Sequence, residues 1–178
     1  MYQALLGSHI RRLDEYELNL CLFFNRACRR RLVGNFFASI SRLGDGIFWY
    51  AVIGLLPIIY GQQALDAAIR MVVSGTLGII VYKLLKTTTA RPRPFTSSPQ
   101  IWRQTRPLDE YSFPSGHSLH SASFTIIATY HHPELGWILV PFATLVMLSR
   151  VVLGLHYPSD VVAGLVLGTL LGLTCVLA

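Results

Sequence analysis

Five apolar stretches, each close to the length of a bilayer-crossing helix, leave this chain few folds to choose from. They run over about 43–61, 67–85, 115–132, 135–154 and 158–177, and roughly 20 residues of helix cross a hydrocarbon core of about 30 Å. Backbone N–H and C=O groups inside a bilayer must be satisfied by the chain itself, which a helix does within one segment. The expected fold is therefore all-α, an integral membrane helical bundle of about five transmembrane helices. The last stretch carries no charge after Asp160. In the second, Arg70 and Lys83 stand near the ends, where long side chains reach the headgroups. The third is polar over its first two turns, through Ser118, His120, Ser121, Ser123 and Thr125, so that face is expected to turn toward protein or a wet cavity. Gly164, Gly168 and Gly172 recur every four residues, a spacing that lets helix backbones approach closely and that fits packing within one chain better than a seam between copies.

Upstream of the first span, residues 8–31 mix apolar positions with charges and close on Arg29, Arg30 and Arg31. This suits an amphipathic helix lying at the interface, with residues 1–33 as its extent. The chain is 52% hydrophobic and 13% charged with a net charge of +6. Its basic residues sit between apolar stretches rather than on one face, which disfavours a nucleic-acid partner and favours membrane lipids and phosphate-bearing substrates. Three cysteines, Cys21, Cys28 and Cys175, show no metal-ligand spacing and are read as free thiols; no cofactor is expected for the chain. Trp49, Tyr50, Trp102 and Trp137 are expected in the interfacial belt. One long polar connection runs from Thr87 to Tyr111, with prolines at 92, 94, 99 and 107 and arginines at 91, 93, 103 and 106. Such proline spacing prevents a regular element, and a long ordered loop often carries function. Residues 1–178 are read as one domain, with 87–114 as its active-site loop.

Counting five crossings brings the end of the second span, the start of the third and the turn near His156 to one membrane face. Lys86, Arg93, Ser115, Gly116, His117, Arg150, His156 and Asp160 then share that face. These are residue types that phosphoryl transfer needs, because its catalysis is largely positioning and electrostatic stabilisation. Pro114-Ser115-Gly116-His117 opens the third helix and aims backbone amides and the positive dipole end at an anion, although the tetrapeptide alone also fits an ordinary helix start. Asp160, four residues after His156, is close enough to accept a hydrogen bond from the imidazole and fix its tautomer, although a lone His-x3-Asp spacing is more often incidental.

Together, Lys86 with Arg93-Pro94, then Pro114-Ser115-Gly116-His117, then Ser149-Arg150 with His156 and Asp160 resemble the three signatures of the type 2 phosphatidic acid phosphatase (PAP2) family. The resemblance covers residues 86–160 directly. It implies a membrane lipid phosphatase that needs no metal, acting on a lipid phosphate or diphosphate of polyprenyl or glycerolipid type. His156 is then the nucleophile that forms a phosphohistidine, His117 the general acid and base, and Asp160 the group that orients His156. Lys86, Arg93, Ser115, Gly116 and Arg150 would hold the nonbridging phosphate oxygens. Arg91-Pro92 duplicates Arg93-Pro94, so the register rests on the six-residue gap from Lys86. The resemblance also implies a bacterial inner membrane with the site facing outward, whereas Arg11, Arg12, Arg26, Arg29, Arg30 and Arg31 on the site's side point inward by the positive-inside rule. Three other readings stand beside the hydrolase, one of them a non-enzymatic membrane scaffold or small carrier with a degenerate site, which the intact signatures argue against. A lipid-to-lipid phosphotransferase would use the same site, and a vanadate-dependent haloperoxidase shares a similar anion cradle but is soluble, which five spans argue against.

Overall fold

A computed structural model describes residues 8–178 of the chain, with side chains from Arg12 onward; residues 1–7 of the expected interfacial helix lie outside the described residues. Helix α1 (Ser8–Asn25) leads through a 3-10 turn at Arg26–Arg29 into α2 (Arg31–Arg42) and α3 (Phe48–Tyr60). Then follow α4 (Leu65–Thr89), the short α5 (Pro94–Ser97), α6 (Gly116–His131), α7 (Gly136–Val152) and α8 (Pro158–Leu177). No strand occurs among the described residues.

The expected first span begins earlier than its hydropathy suggests. α2 and α3 join through one wide helical turn at Leu43–Ile47, bent at Gly46 with φ 139°. That conformation is open to glycine and closed to most L residues, so the bend sits where the sequence permits it. Among the described residues four segments are long and apolar enough to cross a membrane: Arg31–Tyr60, Gln62–Ser97, Pro133–Val152 and Pro158–Leu177. α6, the expected third span, has 16 residues, ten of them buried, and at 1.5 Å per residue it extends only about 24 Å. It is an internal helix packed by α4, α7 and α8. This explains its polarity, since Ser123 bonds Ser74 of α4 across the interface.

The glycine stripe of α8 packs against α6 within the chain. A Cβ at Gly164 would run into the carbonyl oxygen of Ser115, and one at Gly168 into that of Leu119. The same approach lets the Ser115 amide donate to the Asp160 carbonyl oxygen at 3.0 Å, which ties the start of α6 to the first turn of α8. Trp49 departs from the expected belt. It is 1% exposed and packs against Phe48, Phe124 and Phe142. Tyr50, Trp102 and Trp137 are exposed.

α1 is fastened by an ion cluster around the buried Arg91. Arg91 bonds Asp14 (2.6 Å) and Glu17 (2.7 Å) of α1 and Asp160 of α8 (2.6 Å), and the Ser159 amide donates to Glu17 at 2.7 Å. Three carboxylates on one guanidinium satisfy charges that would be costly to bury alone. Leu13, Tyr16, Phe23 and Phe24 of α1 are exposed.

Candidate active site

At one end of the bundle the α2–α3 turn, the end of α4, the start of α6 and the α7–α8 turn meet beneath the connection from residue 90 to 115. Six of the sequence-predicted residues, Lys86, Arg93, Gly116, His117, Arg150 and His156, line a single cavity of about 540 Å³. Ser115 and Asp160 are not among its lining residues. Both serve helix starts instead. Ser115 is the N-cap of α6, its Oγ accepting from the Ser118 amide at 3.3 Å and from the Ser118 hydroxyl at 2.9 Å, so its side chain stands behind the cavity rather than in it.

Asp160 occupies the third position of α8, where its Oδ2 accepts from the Tyr157 amide at 2.8 Å in a capping box, a use that satisfies an otherwise orphaned donor. The hydrogen bond expected between Asp160 and His156 is absent: Oδ2 lies 3.7 Å from Nδ1. Nδ1 instead faces the Ser112 carbonyl oxygen at 2.7 Å. A carbonyl can only accept, so Nδ1 carries the proton and the lone pair lies on Nε2. Nε2 receives an N–H from Arg93 at 3.1 Å.

The turn that presents this ring is built tightly. Gly154 takes φ 65° after α7, the amides of Leu155 and His156 both donate to the Arg150 carbonyl oxygen, and Pro158 opens α8 at a position where its missing N–H costs nothing. His156 is 1% exposed. Burial first, then the charges of Arg93, Arg150 and Lys86, push its pKa well below the ordinary histidine value. A ring with few water neighbours among three cations resists a proton and remains a neutral base.

Arg150 shows most directly what the cavity is built to hold. It is 3% exposed, its one side-chain hydrogen bond goes to Ser41 at 2.5 Å, its Nε has no partner, and it makes no ion pair among the described residues. A buried guanidinium without a counter-ion is expensive unless an anion joins it. Lys86 and Arg93 are paired differently, both with Oδ1 of Asp109 (2.8 and 2.5 Å). The duplicated Arg-Pro pair is thereby resolved: Arg93 faces the cavity and Arg91 fastens α1.

Three groups that contact the predicted residues escaped sequence reasoning. Asp45, in the α2–α3 turn, bonds His117 Nε2 at 2.5 Å, which leaves Nδ1 of that ring without a protein partner among the described residues. Its one sequence signal was an acid between two glycines at the mouth of an apolar stretch. Asp109 and the Ser112 carbonyl had none beyond lying in the 87–114 loop. His120 ties α6 to α4, its Nε2 facing the Gly75 carbonyl oxygen at 3.1 Å, and also lines the cavity.

From this end the cavity continues between α3 and α4 past Ile53, Gly54, Met71, Val72, Thr76 and Ile79. Of these, Gly54, Val72, Thr76 and Ile79 are exposed on the flank of the bundle. The cavity thus joins a cationic, imidazole-bearing end to a largely apolar cleft that opens on the flank of the bundle.

Comparison with known proteins gives a consistent result. Over 132 residues the chain is 34% identical to an undecaprenyl-diphosphatase of Sulfolobus acidocaldarius, covering 73% of this chain and 63% of that protein. Over 124 residues it is 30% identical to undecaprenyl-diphosphatase BcrC of Bacillus subtilis, covering 69% and 64%. The chain thus spans a little under two thirds of the length of these relatives. In fold it matches the crystal structure of a transmembrane PAP2 type phosphatidylglycerolphosphate phosphatase from Bacillus subtilis, with a TM-score of 0.73 and 24% identity over 98% of this chain and 88% of the other. This likeness shows the fold, and with the four apolar segments among the described residues that fold is an integral membrane helical bundle. Residues 67–178, which carry α4 through α8 and every sequence-predicted site residue, match the PAP2 superfamily, and the chain belongs to that family.

Proposed function

We propose that this chain is a membrane lipid phosphatase that works through a phosphohistidine on His156. The observation that carries the reading is the shape and lining of the cavity: three cations and the imidazoles of His117, His120 and His156, with an apolar cleft leading from them to the flank of the bundle. A substrate with a phosphate head and a long hydrocarbon tail fits both ends, and a soluble phosphoester leaves the cleft unused.

The substrate phosphate displaces Asp109 from Lys86 and Arg93 and supplies the counter-ion that Arg150 lacks. His156 Nε2 attacks phosphorus in line. The phosphorus–oxygen bond to the lipid breaks, and the leaving oxygen takes a proton from His117. Water then attacks the phosphohistidine while His117 accepts its proton, and inorganic phosphate leaves with His156 restored. Ser112 and Asp45 are positioning groups for the two rings. Asp160 acts further back, through the start of α8 and its bond to Arg91. No metal enters these steps.

A polyprenyl diphosphate is the first substrate class to test, since both curated relatives above carry that activity in their names. The connection 87–114 serves as the active-site loop. α1 lies at the membrane interface on its exposed apolar side, α6 completes five crossings, and the site faces the outside of a bacterial plasma membrane.

The test is phosphate release from a panel of lipid phosphates and diphosphates, with chelator present, in sealed right-side-out vesicles. Phosphate is expected in the external medium without permeabilisation. The nucleophile needs its lone pair, which it keeps at every pH above its pKa. Burial and three cations lower that pKa, so the acid limb of kcat/KM is expected to lie below the ordinary histidine range, while the basic limb belongs to His117, which must carry a proton to act as general acid. Absence of release from every lipid, dependence on added metal, or an acid limb of kcat/KM at or above the ordinary histidine pKa would contradict the reading. Label transferred to a second lipid instead of water would favour a phosphotransferase.

A further inference from the structure

Beside the catalytic cavity lies a second one of about 510 Å³, lined by Ser41, Arg42, Asp45, Arg103, Gln104, Thr105 and Arg106. Every one of these residues is polar. The two cavities share Asp45, and the wall between them includes the bond from Arg150 to Ser41. From the second cavity, therefore, a bound group sits one side chain away from the reacting end.

The charge balance of this space is positive. Arg42, Arg103 and Arg106 make no ion pair and no side-chain hydrogen bond among the described residues, while Asp45 is engaged by His117 on the far side. Arg103 has only the Phe95 ring beneath its guanidinium, at 5.2 Å. The loop that carries two of the arginines is nevertheless fixed. Asn25, 3% exposed, accepts from the Trp102 amide at 2.7 Å and donates to the Trp102 carbonyl at 3.2 Å, and Gln104 donates to the Cys28 carbonyl at 3.0 Å. Anchors on both sides of Arg103 hold the segment against the 3-10 turn. Two buried polar atoms, Thr105 Oγ1 and Gln104 Oε1, have no partner. A hydroxyl and three guanidinium groups around one preformed space are donors in search of oxygens, the arrangement that recognises phosphate.

We propose that this cavity is a second phosphate site, adjoining the catalytic one across Asp45. It rests on the phosphatase reading for its purpose but not for its existence. Its ligand is a phosphate group of one of two origins: a further phosphate on the headgroup of the bound lipid, or inorganic phosphate leaving after the reaction.

The experiment uses the full chain in detergent micelles and inorganic phosphate as the probe, followed by titration calorimetry, with the double variant Arg103→Gln/Arg106→Gln. Arg29→Gln, an exposed arginine outside both cavities, serves as control. Wild type is expected to bind two phosphates, and the double variant to weaken one of them by about tenfold or more, each tenfold being about 1.4 kcal/mol, while circular dichroism matches wild type. The kinetic arm distinguishes the origins. If the ligand is a headgroup phosphate, the ratio of kcat/KM for a lipid diphosphate over a lipid monophosphate falls by about tenfold. If it is the released product, that ratio holds and inhibition by added phosphate weakens by a similar factor. One phosphate bound by wild type, or two bound unchanged by the double variant, overturns the proposal. Two phosphates bound by a protein that hydrolyses no lipid would sink the phosphatase reading and leave this site standing.

Discussion

Replacing His156 with alanine is expected to lower phosphate release by about 10⁴-fold or more, the loss seen when a covalent nucleophile is removed and only binding and electrostatic stabilisation remain. The ring makes few contacts whose loss would unfold the site. Its neighbours in the turn are held by backbone bonds from Leu155 and His156 to Arg150, by the Cys21 thiol on the His156 carbonyl, and by the capping box at Tyr157 and Asp160, none of which uses the imidazole. Helical circular dichroism and binding of phosphate to the cationic end are therefore expected to persist. Turnover within tenfold of wild type in this variant would remove His156 from the chemistry altogether.

For His117→Ala the expected loss is about 10²–10⁴-fold, the usual worth of a positioned general acid. It should depend on the leaving group. A lipid alcohol is a poor leaving group and needs the proton, whereas a lipid phosphate leaving from a diphosphate needs it less, so the deficit is expected to be larger for monophosphate lipids. Asp45→Asn tests the same assignment through a positioning residue. An amide can donate to Nε2 as well as accept, which releases the ring from its single tautomer. A fall of about tenfold to hundredfold in kcat, with KM nearly unchanged and the basic side of the pH profile displaced, is the signature of a partner that acts through His117. A loss in Asp45→Asn confined to KM would mean that the carboxylate shapes the pocket and not the proton transfer.

Much of this site was legible before any coordinates, for reasons that differ between its parts. The order of the motifs placed the ends of α4 and α7 beside the starts of α6 and α8, and the cavity does gather Lys86, Arg93, Gly116, His117, Arg150 and His156. The polarity of residues 118–125 correctly marked a helix that faces protein, and the four-residue glycine spacing marked the face of α8 that meets it. Partners across long separations were not legible. Asp45 meets a histidine 72 residues away, and the choice between two chemically identical Arg-Pro pairs was made by Asp14 and Glu17, 77 and 74 residues from Arg91. Asp160 misled for a local reason: a carboxylate three residues past a helix cap serves the backbone as readily as a ring, and here the ring turned to the Ser112 carbonyl. The start of the first apolar segment was hidden because Arg31 and Arg42 flank α2 with charge, so its hydropathy rises only where α3 begins.

The claim on which all of this turns is that His156 accepts the phosphoryl group. Its most direct test is rapid acid-free quenching of the full-length protein with labelled lipid phosphate in the presence of chelator, followed by peptide mapping. The expected result is a phosphoryl group, stable to base and labile to acid, on the peptide bearing His156, present during turnover and missing in His156→Ala. Turnover at the wild-type rate with no phosphorylated peptide, or with the label on a different residue, would contradict it.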